Sequence, residues 1–311
     1  MRELTAGHRV ALLEDYGGTS DSLRRIYTRA VQRQWVADTA IDWSREVAFG
    51  SPLAVADDFS RALADRSPVS RMSSADLSAM RWDLHGWLVS QFLHGEQGAL
   101  IAASRAVESG PSADIKLCAA MQVADEARHV DVFGRYLRDY LPSGAAHPIS
   151  PSLGALLDDV CERSEWDLVL LGMQIIVESV ASAAFRLAPR MLHDPLILEI
   201  TDRVSVDEAR HVSFGIIALQ DVMRELTAAQ LRDREDFALE SLHAMHQQYL
   251  LASVWEHAGA DPAQGREFAM HDPTLSRLRV ILFSKMTAAL RHIGLLTPRI
   301  TEHLAELGVA G

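Results

Sequence analysis

Residues 125–129 and 207–211 both read Asp-Glu-Ala-Arg-His, and the repeat extends beyond the pentapeptide. The pairs Glu96 and Glu178, Glu126 and Glu208, and His129 and His211 share one offset of 82 residues. Glu178 is the only formal charge between Leu168 and Phe185, and Glu96 lies in LHGWLVSQFLHGEQGALIAAS, residues 84–104, with only His85 and His94 as other ionisable groups. A carboxylate buried in such a helix costs several kcal/mol unless a cation or hydrogen bonds compensate it. Each lone Glu therefore calls for a positive partner.

The repeat predicts two tandem helical hairpins, residues 74–141 and 165–226. Glu96 precedes Gly110 by 14 residues and Glu126 follows it by 16, while Glu178 precedes Asp194 by 16 and Glu208 follows it by 14. At about 1.5 Å of rise per residue, each lone Glu meets its partner roughly 20 Å from the turn. Glu126 with His129, and Glu208 with His211, stand at i,i+3 and project from one helix face. Four Glu and two His then converge, a set suited to a shared metal centre. The alternative at this stage is a duplication that kept only buried ion pairs between these Glu and Arg128 or Arg210.

Elsewhere Gly and Pro cluster at a few places, including SGPS at 109–112 and LPSGAAHPISP at 141–151, and Ala- and Leu-rich helical segments run between them. The predicted helices are 20–47, 74–109, 112–141, 152–163, 165–193, 196–226, 227–259 and 274–295. The fold class is all-α, and residues 1–311 are expected to form a single domain: a metal-binding bundle over 74–226 with flanking helices at 20–62 and 227–295. The run 168–185 is apolar enough to suggest a membrane span, but Gln174 and Glu178 interrupt it and favour a buried core helix.

The acidic balance, 42 Asp plus Glu against 30 Lys plus Arg, lacks the basic surface that a phosphate backbone demands, so nucleic acid is not an expected partner. Cys118 and Cys161 form no CxxC, and the N-terminus has no uninterrupted apolar secretory segment. These features lead us to expect a cytoplasmic protein with neither a membrane anchor nor disulfides.

A Glu from each of two helices plus Glu-x-x-His from each of two others is the pattern of ferritin-like di-iron and di-manganese bundles. On these residues the sequence resembles the ferritin-like di-iron carboxylate oxygenase superfamily over roughly 74–226. The wording DE-x-R-H, twice, resembles the hydroxylase subunits of bacterial multicomponent monooxygenases, and QW…AIDW at 34–43 resembles single-chain oxygenases of the superfamily. We expect the aromatic residues of that second motif to pack the bundle flank. The resemblance implies a ferritin-like four-helix bundle with additional N- and C-terminal helices. It implies two Fe ions, with Mn possible in one site, held by Glu96, Glu126, His129, Glu178, Glu208 and His211. It also implies that Asp125, Arg128, Asp207 and Arg210 orient those ligands.

Dioxygen is the co-substrate such a centre implies. A radical-forming Tyr of ribonucleotide reductase small subunits would stand where this chain has Phe133, and the extra histidine of arylamine N-oxygenases where it has Val204, leaving His193 or the C-terminal helices to supply one. Ser182, one turn after Glu178, stands where the multicomponent monooxygenases have a threonine hydroxyl, a position suited to proton delivery. Positions one turn from the ligands predict a substrate pocket of Phe92, Gln122, Phe133, Gln174, Ser182 and Phe185. Gly95 and Gly98 beside Glu96 suggest close approach of a neighbour or a π-bulge. His243 and His246 have no acid at ligand spacing and are expected at the surface or an interface.

The sequence thus predicts an O2-activating non-haem di-iron monooxygenase that hydroxylates or otherwise oxidises a small organic molecule. No flavin fingerprint or Cys cluster is present, so electrons would come from an external reductase or ferredoxin, and a homodimer is expected. Desaturation, two-electron oxidation and arylamine N-oxygenation remain open, as does a non-enzymatic iron-handling role.

Overall fold

The structure, a computed structural model, describes residues 13–14, 20–45, 58–141, 144 and 146–310. Among these residues there are helices and no strands. In chain order they are α1 (Asp21–Gln32), α2 (Ala37–Ala40), α3 (Asp58–Arg66), α4 (Ser74–Ser109), α5 (Ala113–Tyr140), α6 (Pro151–Glu162) and α7 (Trp166–Leu170). A π-helical segment, Leu171–Val177, joins α7 to α8 (Glu178–Met191). There follow α9 (Pro195–Leu219), α10 (Val222–Glu225), α11 (Ala228–Gln248), α12 (Ala252–His257), α13 (Pro262–His271), α14 (Pro273–His292) and α15 (Pro298–Glu306).

Two hairpins, α4 with α5 and α7–α8 with α9, form the central four-helix bundle. Their turns are sharp because each new helix is capped at once. Ser112 Oγ accepts from Ile115 N at the start of α5, and Asp194 accepts from Leu196 N ahead of Pro195 at the start of α9. The bundle core is divided along its length. One apolar cluster contains Ala102, Ala119, Leu171, Ile175 and Val212, beside the α4–α5 turn; the other contains Leu84, Phe133, Phe185 and Ile200, beside the α8–α9 turn. The buried Glu and His residues occupy the level between them.

The helix Trp166–Met191 is long and apolar enough to cross a membrane, and 89% of its most apolar window is buried inside the protein. It is a central core helix here. Both cysteines are free and buried.

Several predicted boundaries move. The helix expected over 20–47 ends at Gln32, and residues 46–57 lie outside the described residues. The helix expected over 227–259 breaks after Gln248, where Leu251 takes a left-handed φ of 59° before α12 begins. The helix expected over 196–226 stops at Leu219, with α10 as a separate turn. The π-helical segment precedes Glu178 rather than surrounding Glu96. A Cβ on Gly98 would stand 2.6 Å from Leu157 Cδ2, so this glycine admits α6 against α4. His246 is fully buried inside the chain, whereas a surface or interface position was expected for it.

Candidate metal centre

All six predicted ligands are buried and meet at mid-bundle. Single donor atoms of Glu96, Glu126, His129 and Glu208 lie within 4.8 Å of one another, as do those of Glu126, Glu178 and His211. His129 Nδ1 is 3.2 Å from Glu96 Oε2, 3.1 Å from Glu126 Oε2 and 3.4 Å from Glu208 Oε1. His211 Nδ1 is 3.0 Å from Glu126 Oε1, 3.6 Å from Glu208 Oε1 and 3.9 Å from Glu178 Oε2. Glu126 therefore offers one oxygen to each histidine, and Glu208 lies between both. Glu96 belongs to the His129 side and Glu178 to the His211 side.

Donor atoms sharing a six-coordinate ion with bonds of about 2.1 Å stand about 3.0 Å apart along an edge, close to most of these separations. Several donors are spare. Glu178 Oε2, Glu208 Oε1 and His211 Nδ1 are buried without a hydrogen-bond partner, an expensive arrangement unless cations take their lone pairs. The residues present thus fit a pair of metal ions.

Electrostatics agree with that fit. Burial, followed by the charge of Glu208, pushes the carboxyls of Glu96 and Glu178 well above the usual carboxylate range. Burial opposes ionisation of Glu126 too, yet His211 and His129 hold it well below that range. Burial disfavours the charged imidazoles, but the surrounding carboxylates, Glu96 first for His129 and Glu126 first for His211, raise both well above the ordinary histidine value.

The arginines do not neutralise these glutamates. Arg128 pairs with Asp125 and with Asp207 at 3.3 Å, and Arg210 pairs with Asp125 at 2.6 Å and Asp207 at 2.7 Å. Two Asp and two Arg balance each other in one layer, so neither arginine is left to neutralise the four carboxylates. This geometry disfavours the reading in which the duplication kept only Glu–Arg pairs. The aspartates instead reach the histidines, and they do so across the repeat. His129 Nε2 is 3.3 Å from Asp207 Oδ2, and His211 Nε2 is 3.2 Å from Asp125 Oδ2.

The QW motif proves to be part of this layer. Gln34 Nε2 donates to Asp125 Oδ1 at 2.8 Å, Trp35 Nε1 donates to Asp207 Oδ2 at 2.8 Å, and the Arg128 guanidinium lies 4.6 Å from the Trp35 ring centroid. Expected merely to pack the flank, the motif caps the Asp–Arg layer.

The predicted pocket residues separate into different roles. Phe92 and Phe185 line an apolar cavity that also touches Glu96, Glu178 and Glu208. Gln122, Phe133, Gln174 and Ser182 are not on its wall. Gln122 Nε2 donates to Glu126 Oε1 at 3.0 Å and Glu178 Oε1 at 2.6 Å, and Gln174 Nε2 donates to Gln122 Oε1 at 3.0 Å. These amides hold the carboxylates of Glu126 and Glu178 in place. Phe133 stacks behind Phe185, with ring centroids 5.9 Å apart. Ser182 Oγ accepts a hydrogen bond from Lys285 Nζ on α14, a residue that sequence reasoning missed. Val204 is buried, as its place in the bundle requires, and His193 is exposed. What α14 brings towards the centre is thus a lysine.

Comparison with solved structures points to the same architecture. A point mutant of an R2-like ligand-binding oxidase with aerobically reconstituted Mn/Fe cofactor superposes with a TM-score of 0.58 at 15% identity, over 90% of this chain and 95% of that one. Another mutant of an R2-like ligand-binding oxidase, with aerobically reconstituted Fe/Fe cofactor, gives a TM-score of 0.57 at 15% identity, over 91% and 95%. The fold is ferritin-like. No family model matches the sequence, and no curated protein matches it.

Proposed function

We propose that this ferritin-like chain is an oxygen-activating di-metal oxidase in which Glu96, Glu126, His129, Glu178, Glu208 and His211 hold two ions, iron in both positions or manganese in one. The observation that carries this reading is the convergence of four buried carboxylates and two imidazoles, with Glu178 Oε2, Glu208 Oε1 and His211 Nδ1 left unpartnered and both DEARH arginines committed to Asp. Mn/Fe and Fe/Fe cofactors in oxidases of this fold support the same metals. Two such ions, when bound, supply electrons for the reduction of dioxygen.

The chain's own residues set the conditions for that chemistry. Asp207 and Asp125 fix the Nε2 side of each imidazole, so that Nδ1 presents its lone pair inward. Gln122 holds Glu126 and Glu178 in place through one amide. Ser182 and Lys285 form a polar pair, one turn beyond Glu178, that can hold a proton close to the centre. The apolar cavity excludes water and receives a small, largely apolar organic molecule against Phe92 and Phe185. Its hydroxylation, or another oxidation, draws electrons from a separate reductase or ferredoxin. Desaturation and two-electron oxidation use the same residues.

Iron-supplemented, reduced protein exposed to O2 should consume oxygen and stop at close to two ions in the buried centre of each chain, and Glu126→Ala should lose at least one of them. Continued uptake into a mineral core would replace the oxidase reading with an iron-handling one. A single zinc held by the Glu96–His211 set in place of iron would reject both.

A further inference from the structure

We infer that Asp83, His147 and His257 form a second, mononuclear site for a divalent transition-metal ion, with zinc the best match. Asp83 is on α4, His147 lies between α5 and α6, and His257 ends α12. One ligand atom from each lies within 4.8 Å of the other two. This trio is outside the buried centre and opens onto a surface groove that also includes Trp87, Glu256 and Arg266.

The spacing fits a shared ion better than a direct ion pair. His147 Nε2 is 3.4 Å from Asp83 Oδ1, whereas a charge-assisted hydrogen bond closes to about 2.7–2.9 Å. Two ligands on a tetrahedral zinc with bonds of about 2.0–2.1 Å stand about 3.4 Å apart. The His147 and His257 rings are 5.3 Å apart and inclined at 67°, edge towards face. His257 is exposed, its donor atom already lies within 4.8 Å of the other two, and three protein ligands leave a fourth position for water.

His147 is also held in place by its surroundings. Its N–H donates to Ser90 Oγ at 2.9 Å, and its carbonyl is 2.8 Å from His94 Nε2. Its ring occupies the space left by Gly86, where a Cβ would stand 3.3 Å from His147 Nε2. Burial lowers the pKa of this imidazole, favouring the neutral form that binds metal.

An ion here would tie together three segments that are distant in sequence. The segment it anchors continues to the cavity wall: Gln91 Nε2 donates to Pro148 O at 3.1 Å, Ser150 N donates to Gln91 Oε1 at 2.9 Å, and Ser150 Oγ donates to Gln248 Oε1. Gln91, Gln248 and Trp87 all line the apolar cavity.

The test is a Co2+ titration of the full-length, iron-loaded protein, followed by calorimetry, visible absorption of the bound cobalt and iron analysis. One equivalent should bind without loss of iron. His147→Gln and His257→Gln should each weaken that binding at least tenfold with iron content unchanged. Because His257 is exposed, its variant remains informative even if His147→Gln fails to fold. No added equivalent in the unaltered protein, cobalt bound only as iron is displaced, or equal affinity in His257→Gln would each overturn the site.

Discussion

Asp207 stands next to Glu208 in the second repeat, yet its Oδ2 lies 3.3 Å from Nε2 of His129 in the first. Asp125 returns the relation to His211 at 3.2 Å. Each half of the candidate centre is thus completed by the other half, and neither hairpin carries a whole site. The exchange also explains how two aspartates can stay ionised in a buried layer. Burial opposes ionisation of Asp125, but the hydrogen bond and charge of His211 hold it at about 2, and His129 likewise holds Asp207 below the ordinary aspartate range.

Asp207→Asn should therefore weaken the ion beside His129, and Asp125→Asn the ion beside His211. Partners of this kind typically contribute roughly 10- to 100-fold in metal affinity. Competition with a chelator, read together with iron content, measures the effect. Normal affinity in both variants would show that the aspartates serve only the arginines.

Trp35→Phe should keep a ring near Arg128 and remove the N–H that donates to Asp207. A lost hydrogen bond to a charged partner costs about 2 kcal/mol. Chemical denaturation of the metal-loaded protein should show a loss of that order, and metal affinity should fall with it. Wild-type stability would return Trp35 to the flank-packing role that its sequence suggested.

What could be read in the sequence depended on how local the signal was. The two DEARH copies and the lone Glu residues were visible because helix rise converts residue counts into height, so Glu96 meets Glu126 and Glu178 meets Glu208 by arithmetic within one hairpin. The contact of Trp35 with Asp207 spans 172 residues, and that of Lys285 with Ser182 spans 103, and no periodicity records either. Cross-pairing of the aspartates was hidden for another reason. An Asp beside its own Glu-x-x-His looks local, and only the antiparallel placement of α5 against α9 turns it towards the opposite histidine. The π-helical segment was equally silent, since Leu171–Val177 has the composition of any apolar helix.

Metal-free and metal-loaded protein should respond to pH in opposite senses. The folded-state values of Glu96 and Glu178 are raised, as are those of His129 and His211. In the metal-free protein each contributes stability that is fully present below its unfolded value, about 4.5 for Glu and 6.5 for His, and that is lost as pH rises through the folded value. Bound ions require the same groups deprotonated, so loading strengthens over that same rise. Thermal melts from pH 5 to 8, values on the order of the usual titration range, should show the gap between loaded and metal-free Tm widening with pH. A constant gap would place the ions elsewhere.

The pair Ser182 and Lys285 offers the sharpest separation between packing and chemistry. Burial, with Arg186 adding to it, lowers Lys285 to about 8, while Glu208 and Glu178 oppose the fall. A group at that value gives up and regains a proton near neutrality. Lys285→Met should keep both metals, because no ligand touches Nζ, yet slow substrate oxidation and remove the pH dependence that the unaltered protein shows around pH 8. Ser182→Leu removes the hydroxyl and adds bulk beside Lys285 rather than on the cavity wall, so it should reproduce that altered pH profile with iron content retained. It should leave the product's regiochemistry alone. A shifted product distribution in Ser182→Leu with an unchanged pH profile would mean that Ser182 borders the substrate after all. Unchanged turnover and pH profile in both variants would reduce the pair to a packing contact between α8 and α14.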